Sequence, residues 1–290
     1  MTTSEIIKKV KQIELKSLKK TNSVFLGEYH SSFKGRGMTF SEIRPYQYGD
    51  DVRKMDWNKT ARFNEPFVKV FEEERELTLM LLVDVTASMN FGTSKQIKRE
   101  TVAELCATLG FSAMKNNDKV GLILFSDKVD LFIPPKKGRS HILRIIRELI
   151  DFEPKAAEAN LKNTLDFFLN TIKRKSITFL ISDFETDDFS RELKIVSKKH
   201  DFTGIRIYDN KEKMFPNIGL ARIRDMETGK LKWINTSSRK VRLNYEEYYR
   251  NLELNTKNQF KNAGAGFISF QNDEDYFKNL LNYFKSHNVR

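Results

Sequence analysis

Leu79-Met80-Leu81-Leu82-Val83-Asp84-Val85-Thr86-Ala87-Ser88-Met89 decides how this chain folds. The run from Leu79 to Val83 is apolar without alternation, the pattern of a strand buried on both faces of a parallel sheet. Asp84 ends the run, so it stands where the strand stops and a loop begins, at the carboxyl edge of the sheet. Open α/β sheets bind ligands at that edge. Hydroxyls follow at the second and fourth positions after the acid. Asp84, Thr86 and Ser88 can turn three oxygens toward one point, a donor set suited to a hard divalent cation such as Mg²⁺ or Mn²⁺.

Outward from this strand the chain alternates. A helix is expected over 94–116, with Thr93 and Gln96 spaced as a capping box and Val102, Leu105, Cys106, Leu109 and Ala113 as its apolar stripe. Strands over 120–125 and 129–133 are separated by Ser126-Asp127-Lys128 alone, a connection short enough to require an antiparallel hairpin at a sheet edge. Helices over 140–150 and 161–173 precede a second buried strand, 176–182, which Asp183 ends as Asp84 ends the first. A helix over 189–199, a strand over 202–208, a hairpin insertion within 214–238 with its tip at 225–230, a helix over 240–262, a strand over 267–270 and a helix over 273–286 complete the pattern. Such alternation implies an α/β fold, a Rossmann-like, mostly parallel central sheet with helices on both faces and right-handed crossovers. Residues 76–290 form this domain. Residues 1–75 form an amino-terminal helix and an irregular, β-containing segment packed on it. The helix, over 4–20, puts Ile6, Val10, Ile13 and Ser17 on one face with lysines opposite. A basic amphipathic helix can make peripheral contact with a membrane, although docking at a domain's edge is its commoner role. Residues 21–65 show no clean periodicity, and 66–74 alternates partly, as a strand does.

Composition narrows the function. The net charge is +12, from 51 basic and 39 acidic residues in 290. The lysines are spread along the chain, and no zinc-finger, RNA-recognition or helix-turn-helix pattern accompanies them, so no specific nucleic acid is expected as a partner. One cysteine, Cys106, rules out an intramolecular disulfide. No apolar run approaches the ~20 residues that span a bilayer, and Met1-Thr2-Thr3-Ser4-Glu5 lacks the basic-then-apolar order of a signal peptide. A cytoplasmic protein is expected.

Asp84-Val85-Thr86-Ala87-Ser88 resembles the Asp-x-Ser/Thr-x-Ser motif of von Willebrand factor A domains, the metal-ion-dependent adhesion site, and Ile181-Ser182-Asp183-Phe184 is similar to that site's strand-end aspartate. Gly35-Arg36-Gly37-Met38-Thr39-Phe40, the run from Arg44-Pro45-Tyr46 through Gly49-Asp50-Asp51 to Met55-Asp56-Trp57, and Lys136-Lys137-Gly138-Arg139-Ser140-His141 resemble segments of the "domain of unknown function 58" family. The resemblance implies a von Willebrand factor A-like fold in a soluble bacterial protein. It also implies an adaptor or substrate-recognition role beside a MoxR-class AAA+ ATPase and its client, and Mg²⁺ or Mn²⁺ on Asp84, Thr86, Ser88 and Asp183. One position departs from the adhesion site. Ala159 stands where the threonine that is the site's second element belongs, in Ala156-Ala157-Glu158-Ala159-Asn160-Leu161. A methyl group cannot coordinate an ion, whereas Asn160 or Glu158 could supply an oxygen from nearby, or water could fill the gap. Without a metal, Asp84 and Asp183 would serve as caps for the turns that follow them.

The segment around Arg44–Trp57 allows two uses. Arg44, Tyr46, Asp50, Asp51, Arg53, Asp56 and Trp57 could form a partner-binding surface, or the charged residues could pair internally to hold an irregular segment. Gly35 and Gly37 do not make a phosphate loop, because no Lys-Ser/Thr follows. Catalysis is not expected. An aspartate at a strand end also resembles haloacid dehalogenase phosphatases, but Thr86 stands where their proton-donating acid belongs. His30, His141, His200 and His287 have no metal-ligand spacing. Two readings follow: a metal-dependent interaction module acting at the Asp84 edge, and a metal-independent scaffold binding through the amino-terminal segment and the hairpin insertion.

Overall fold

A computed structural model of the chain describes residues 3–21, 25–27, 29, 39–72, 76–93, 97–153, 158–224 and 231–287. The chain divides into two compact units, one of Met1–Phe33 with Thr78–Arg290 and one of Lys34–Leu77. The boundary therefore differs from the expected 1–75 and 76–290, because the first helix, α1 (Thr3–Lys20), goes with the sheet. Its Ile6, Ile13 and Ser17 are buried. Its charges reach neighbouring helices: Lys16 Nζ lies 2.6 Å from Glu104, Arg139 Nε lies 2.6 Å from Glu14, and Lys9 pairs with Glu100. The apolar face of α1 is thus spent inside its own unit.

In the Lys34–Leu77 unit, β1 (Thr39–Pro45) runs antiparallel to β2 (Phe67–Glu72), with Arg44 opposite Val68. A single 3₁₀ turn (Val52–Lys54) and α2 (Trp57–Phe63) lie between them. Each begins at an aspartate whose carboxylate accepts a backbone N–H, Asp51 from Arg53 and Asp56 from Lys59, both at 3.0 Å. β1 and α2 were not legible as periodicity, since seven residues give less than two turns of a helix and this sheet has only two strands to bury.

The larger unit is built on a six-stranded sheet in the order β10-β7-β6-β3-β4-β5. Its strands are β3 (Thr78–Asp84), β4 (Lys119–Phe125), β5 (Val129–Lys136), β6 (Ile177–Ser182), β7 (Asp201–Tyr208) and β10 (Gly266–Gln271). Every pairing is parallel except β4 with β5, the hairpin expected at an edge. The α/β class and the mostly parallel sheet are as the sequence implied. The hairpin of β8 (Leu220–Arg224) and β9 (Leu231–Asn235) forms a separate antiparallel pair.

The helices are α3 (Lys98–Lys115), α4 (Arg139–Asp151), α5 (Leu161–Thr171), α6 (Ser190–Lys199), the single turn α7 (Asn210–Lys213), α8 (Arg239–Ala263) and α9 (Tyr276–His287). Met80, Leu82, Ile123, Phe125 and Leu180 point to one face of the sheet, where Leu165 and Phe168 of α5, Leu193 of α6 and Phe260 of α8 meet them in one buried cluster. The alternate residues Leu79, Leu81, Leu122, Leu124 and Phe179 face the other way by the pleat. They too are fully buried, and Phe179 meets Phe284 of α9 with ring centroids 6.4 Å apart. Both faces are therefore covered, as an unbroken apolar strand requires.

The expected helix start at 94 is corrected to Lys98. The first residue before the helix, Ile97, offers no side-chain cap, and the Thr93 hydroxyl bonds to Asp209 instead. Gln96, the Gly35–Met38 part of the glycine-containing motif and the hairpin tip at 225–230 lie outside the described residues.

Candidate functional site

Three neighbouring strands, β3, β6 and β7, bring their carboxyl ends together, and the side chains gathered there make one buried polar cluster. Asp84 ends β3. Its Oδ1 accepts from the Thr86 N–H at 2.9 Å and the Thr86 hydroxyl at 2.6 Å, and its Oδ2 accepts from the Ser182 hydroxyl at 2.7 Å. Thr86 and Ser88 lie 3.0 Å apart, oxygen to oxygen. The Ser88 hydroxyl bonds to Asp183, and the Glu185 N–H reaches Asp183 Oδ1 at 3.3 Å. The expected set of Asp84, Thr86, Ser88 and Asp183 therefore does assemble. All four are buried, at 2, 2, 9 and 7 % exposure.

The cluster also holds a cation that the sequence reading did not name. Lys98, the first residue of α3, is fully buried, with its ammonium 3.4 Å from Asp183 Oδ2 and 2.8 Å from Glu212 Oε1. Glu212 is held in place by a capping box at α7, where its other oxygen accepts from the Asp209 N–H at 2.9 Å. Asp209 in turn binds the backbone and hydroxyl of Thr93, both at 2.8 Å. Arg206 of β7, also fully buried, donates from Nε to the Asp183 carbonyl at 3.1 Å and lies 3.3 Å from Glu253 of α8. A signal for Lys98 existed. It stands four residues before Val102 on the apolar stripe of α3, and Arg206 interrupts an apolar strand.

The electrostatics follow from burial and from these pairs. Burial pulls the Lys98 ammonium down, but Asp183 and Glu212 more than reverse that, and it stays firmly charged. Burial pushes Asp183 up, yet Lys98 and the Ser88 hydroxyl hold it below the usual carboxylate value. Among the described residues, no cation pairs with Asp84. Burial and the negative charge of Asp183 push it up to about 6, against its bonds to Thr86 and Ser182. Glu185 is raised by burial and then by Asp183, and Glu212 by burial against the pull of Lys98.

A carboxyl raised in the fold binds its proton more tightly folded than unfolded. Asp84 therefore weakens the fold as pH climbs from about 4 to about 6, and the penalty is complete above that. A rise from 3.8 to about 6 corresponds to roughly 3 kcal/mol at most. Asp84→Asn keeps an oxygen for Thr86 and removes the ionisation. Its stability relative to wild type is expected to improve across this window by roughly 1–3 kcal/mol, read from urea midpoints at several pH values. A difference that stays flat with pH would contradict this account of Asp84.

Residues 42–254 match the family described as "Protein of unknown function DUF58". The chain belongs to that family. Relatives of this DUF58 chain include the uncharacterized protein Rv1480 of Mycobacterium tuberculosis, 25% identical over 280 residues, which cover 96% of this chain and 88% of the relative. The uncharacterized protein YeaD of Bacillus subtilis is 30% identical over 122 residues, covering 42% of this chain and 27% of YeaD. Among solved structures, the chain is similar to BatB of Bacteroides thetaiotaomicron, at 12% identity and a TM-score of 0.47, covering 74% of this chain and all of that one. It is also similar to the SpRpn10 VWA domain, at 10% identity and a TM-score of 0.41, covering 72% and 95%.

An adhesion-type metal implied for this DUF58 chain can be tested against its own residues, and they do not fit one. The oxygens of Asp84, Thr86 and Ser88 are already bonded to one another or to Ser182 and Asp183. Ala159, partly buried against the apolar cluster, offers only its carbonyl, which accepts from the Thr186 hydroxyl at 2.8 Å. Asn160 does not join the site either. Its side-chain oxygen caps α5 by accepting from the Asn163 N–H at 3.0 Å, and Glu158 is exposed. Lys98 weighs most. Two unit charges ~4 Å apart interact by about 4 kcal/mol at an effective dielectric of ~20, and a divalent ion beside a buried ammonium doubles that repulsion.

The other named residues stand in the Lys34–Leu77 unit. Arg44 grips Asp50 through two bonds of 2.8 Å, and Asp50 also accepts from the Gln47 N–H. Asp51 and Asp56 are caps, and Asp56 lies 3.6 Å from Lys69. Tyr46 is half-buried and Arg53 exposed. Trp57 is 66% exposed, with Tyr48, Val52 and Phe63 also exposed on this unit. Of the remaining groups, Cys106 is buried, which pushes its thiol up. His141 bonds the Val120 carbonyl at 2.8 Å, and His200 meets Ser176 at 2.9 Å.

Proposed function

We propose that this chain is a non-catalytic protein-interaction module whose contacts need no divalent metal, the second of the two readings left open by the sequence. The observation that carries it is the exposure of Tyr48, Val52, Trp57 and Phe63 on the Lys34–Leu77 unit, while Asp50, Asp51 and Asp56 between them are consumed by an internal pair and two caps. Aromatic side chains held in water by a satisfied backbone are what protein interfaces use as anchors. The β8–β9 hairpin offers a second such surface, with Trp233 at 67% and Leu220 at 65% exposure. The polar cluster at the sheet edge supports this reading by its burial, since a carboxylate from a partner would have to reach past closed hydrogen bonds to meet it.

The partner follows from the family resemblance: a MoxR-class AAA+ ATPase, its client protein, or both. The same proposal sets the chain in the cytoplasm, where an ATP-driven partner finds its nucleotide. Among the described residues, no helix is long and apolar enough to cross a membrane.

The test is capture of a purified MoxR-class ATPase on immobilised chain. Trp57→Ala or Trp233→Ala is expected to weaken capture by roughly 30-fold, the effect of losing one aromatic anchor worth about 2 kcal/mol. Asp84→Ala and added chelator are expected to leave it unchanged. Capture abolished by chelator or by Asp84→Ala, with the tryptophan variants intact, would return the function to the sheet edge.

A further inference from the structure

We infer that the Lys98 ammonium is the resident cation of the sheet-edge cluster, occupying the electrostatic role that a divalent ion has in an adhesion-type site and closing that site permanently.

The argument rests on geometry. Lys98 is fully buried, yet it enters from the amino end of α3, where the helix dipole favours anions rather than cations. A buried charge in that position persists only where opposite charges hold it. Two carboxylates do so from different strands' ends, Asp183 at 3.4 Å after β6 and Glu212 at 2.8 Å after β7. Both are fixed independently of the lysine. Asp183 takes the Ser88 hydroxyl and the Glu185 N–H, and Glu212 takes the Asp209 N–H in a capping box. The lysine's long stem reaches into the cluster from the apolar stripe of α3. Asp84, Thr86, Ser88 and Asp183 thus keep the arrangement of a metal socket, while the charge of Asp183 is met from inside the chain and Asp84, among the described residues, is held by Thr86 and Ser182 alone. The difference matters for binding. A metal ion retains positions for water or an incoming carboxylate, whereas this ammonium is fully buried against two carboxylates and presents no open position to a partner.

This inference shares the buried cluster with the metal independence proposed above, so the experiment is one in which the two fail separately. Mn²⁺ is titrated into the full chain and its free-ion signal followed by electron paramagnetic resonance, with no partner present. Wild type is expected to show no saturable uptake, and native Lys98 to resist reductive methylation equally with and without Mn²⁺. Saturable uptake lost in Asp183→Asn, or exposure of Lys98 by Mn²⁺, would overturn the assignment without touching partner capture. In Lys98→Ser, removal of the ammonium is expected to create one Mn²⁺ site, bound at least ~10-fold more tightly than anything in wild type, because the repulsion is gone and the carboxylates remain. A folded Lys98→Ser chain that takes up no Mn²⁺ would also overturn it. Should that variant not fold, the wild-type titration and the labelling decide alone.

Discussion

Lys98→Met is expected to destabilise the fold by about 3–5 kcal/mol, the cost of breaking a buried ion pair from one side. Methionine fills much the same volume, so little of the loss comes from packing. It comes from Asp183 and Glu212, whose side chains are 10 and 17 % exposed and would be left facing each other across the space the ammonium held. The burden then falls on protons. Asp183, kept below the ordinary carboxylate value chiefly by Lys98 against its burial, would lose that support and rise. The variant is therefore expected to be most defective near neutral pH and to recover part of its stability in mild acid, as a carboxyl raised in the fold is relieved when protonated. A triple variant adding Asp183→Asn and Glu212→Gln separates charge from shape. Neutralising all three members is expected to restore most of the loss, because a buried ionic cluster is costly to break and cheap to replace whole. Urea denaturation of wild type, single and triple variants decides the matter. A single variant with wild-type stability would mean that Lys98 is not holding these acids.

The same residue marks how far the sequence could be read. The unbroken apolar run ending in Asp84, and the largely apolar one before Asp183 that only Thr178 and Ser182 interrupt, were sufficient to place two parallel strands and the edge they share, since burial on both faces favours that pattern. The β4–β5 hairpin followed from a connection too short for a crossover. What escaped was whatever depends on segments meeting in space. Lys98, Glu212 and Arg206 come from separate parts of the chain, and nothing local says that a lysine on an apolar stripe will find two acids rather than solvent. The spacing of Asp84, Thr86 and Ser88 correctly gathered their oxygens, but it could not say what cation they serve. Asn160 failed as a ligand for a local reason that could have been seen. An asparagine just before a helix is first a cap, and α5 begins at the next residue.

Phe260→Ala is expected to cost about 3–5 kcal/mol, the range for truncating a fully buried aromatic ring. The ring lies among Phe184, Phe189, Phe202 and Phe267, with centroids 5.3, 6.1, 6.5 and 5.2 Å away. It also fits against β7 only because residue 204 is a glycine. A Cβ added there would stand 2.3 Å from the Phe260 ring, a distance no pair of carbons tolerates. Gly204→Ala alone should therefore be strongly destabilising by overpacking. Combined with Phe260→Leu, which draws the side chain back, it should cost less than the sum of the two single changes, with a coupling of roughly 1–2 kcal/mol measurable in a double-mutant cycle. Strict additivity would mean that the glycine answers to something other than this ring. The contact reaches beyond the core. Tyr249, Glu253, Thr256 and Phe260 fall on one face of α8 at helical spacing. Phe260 thus anchors the helix whose Tyr249 hydroxyl meets Glu185 and whose Glu253 lies 2.8 Å from Lys213 and 3.3 Å from Arg206. Loosening that anchor is expected to loosen the sheet edge with it, so Lys98 in Phe260→Ala should label by reductive methylation faster than in wild type, under conditions where the chain remains folded.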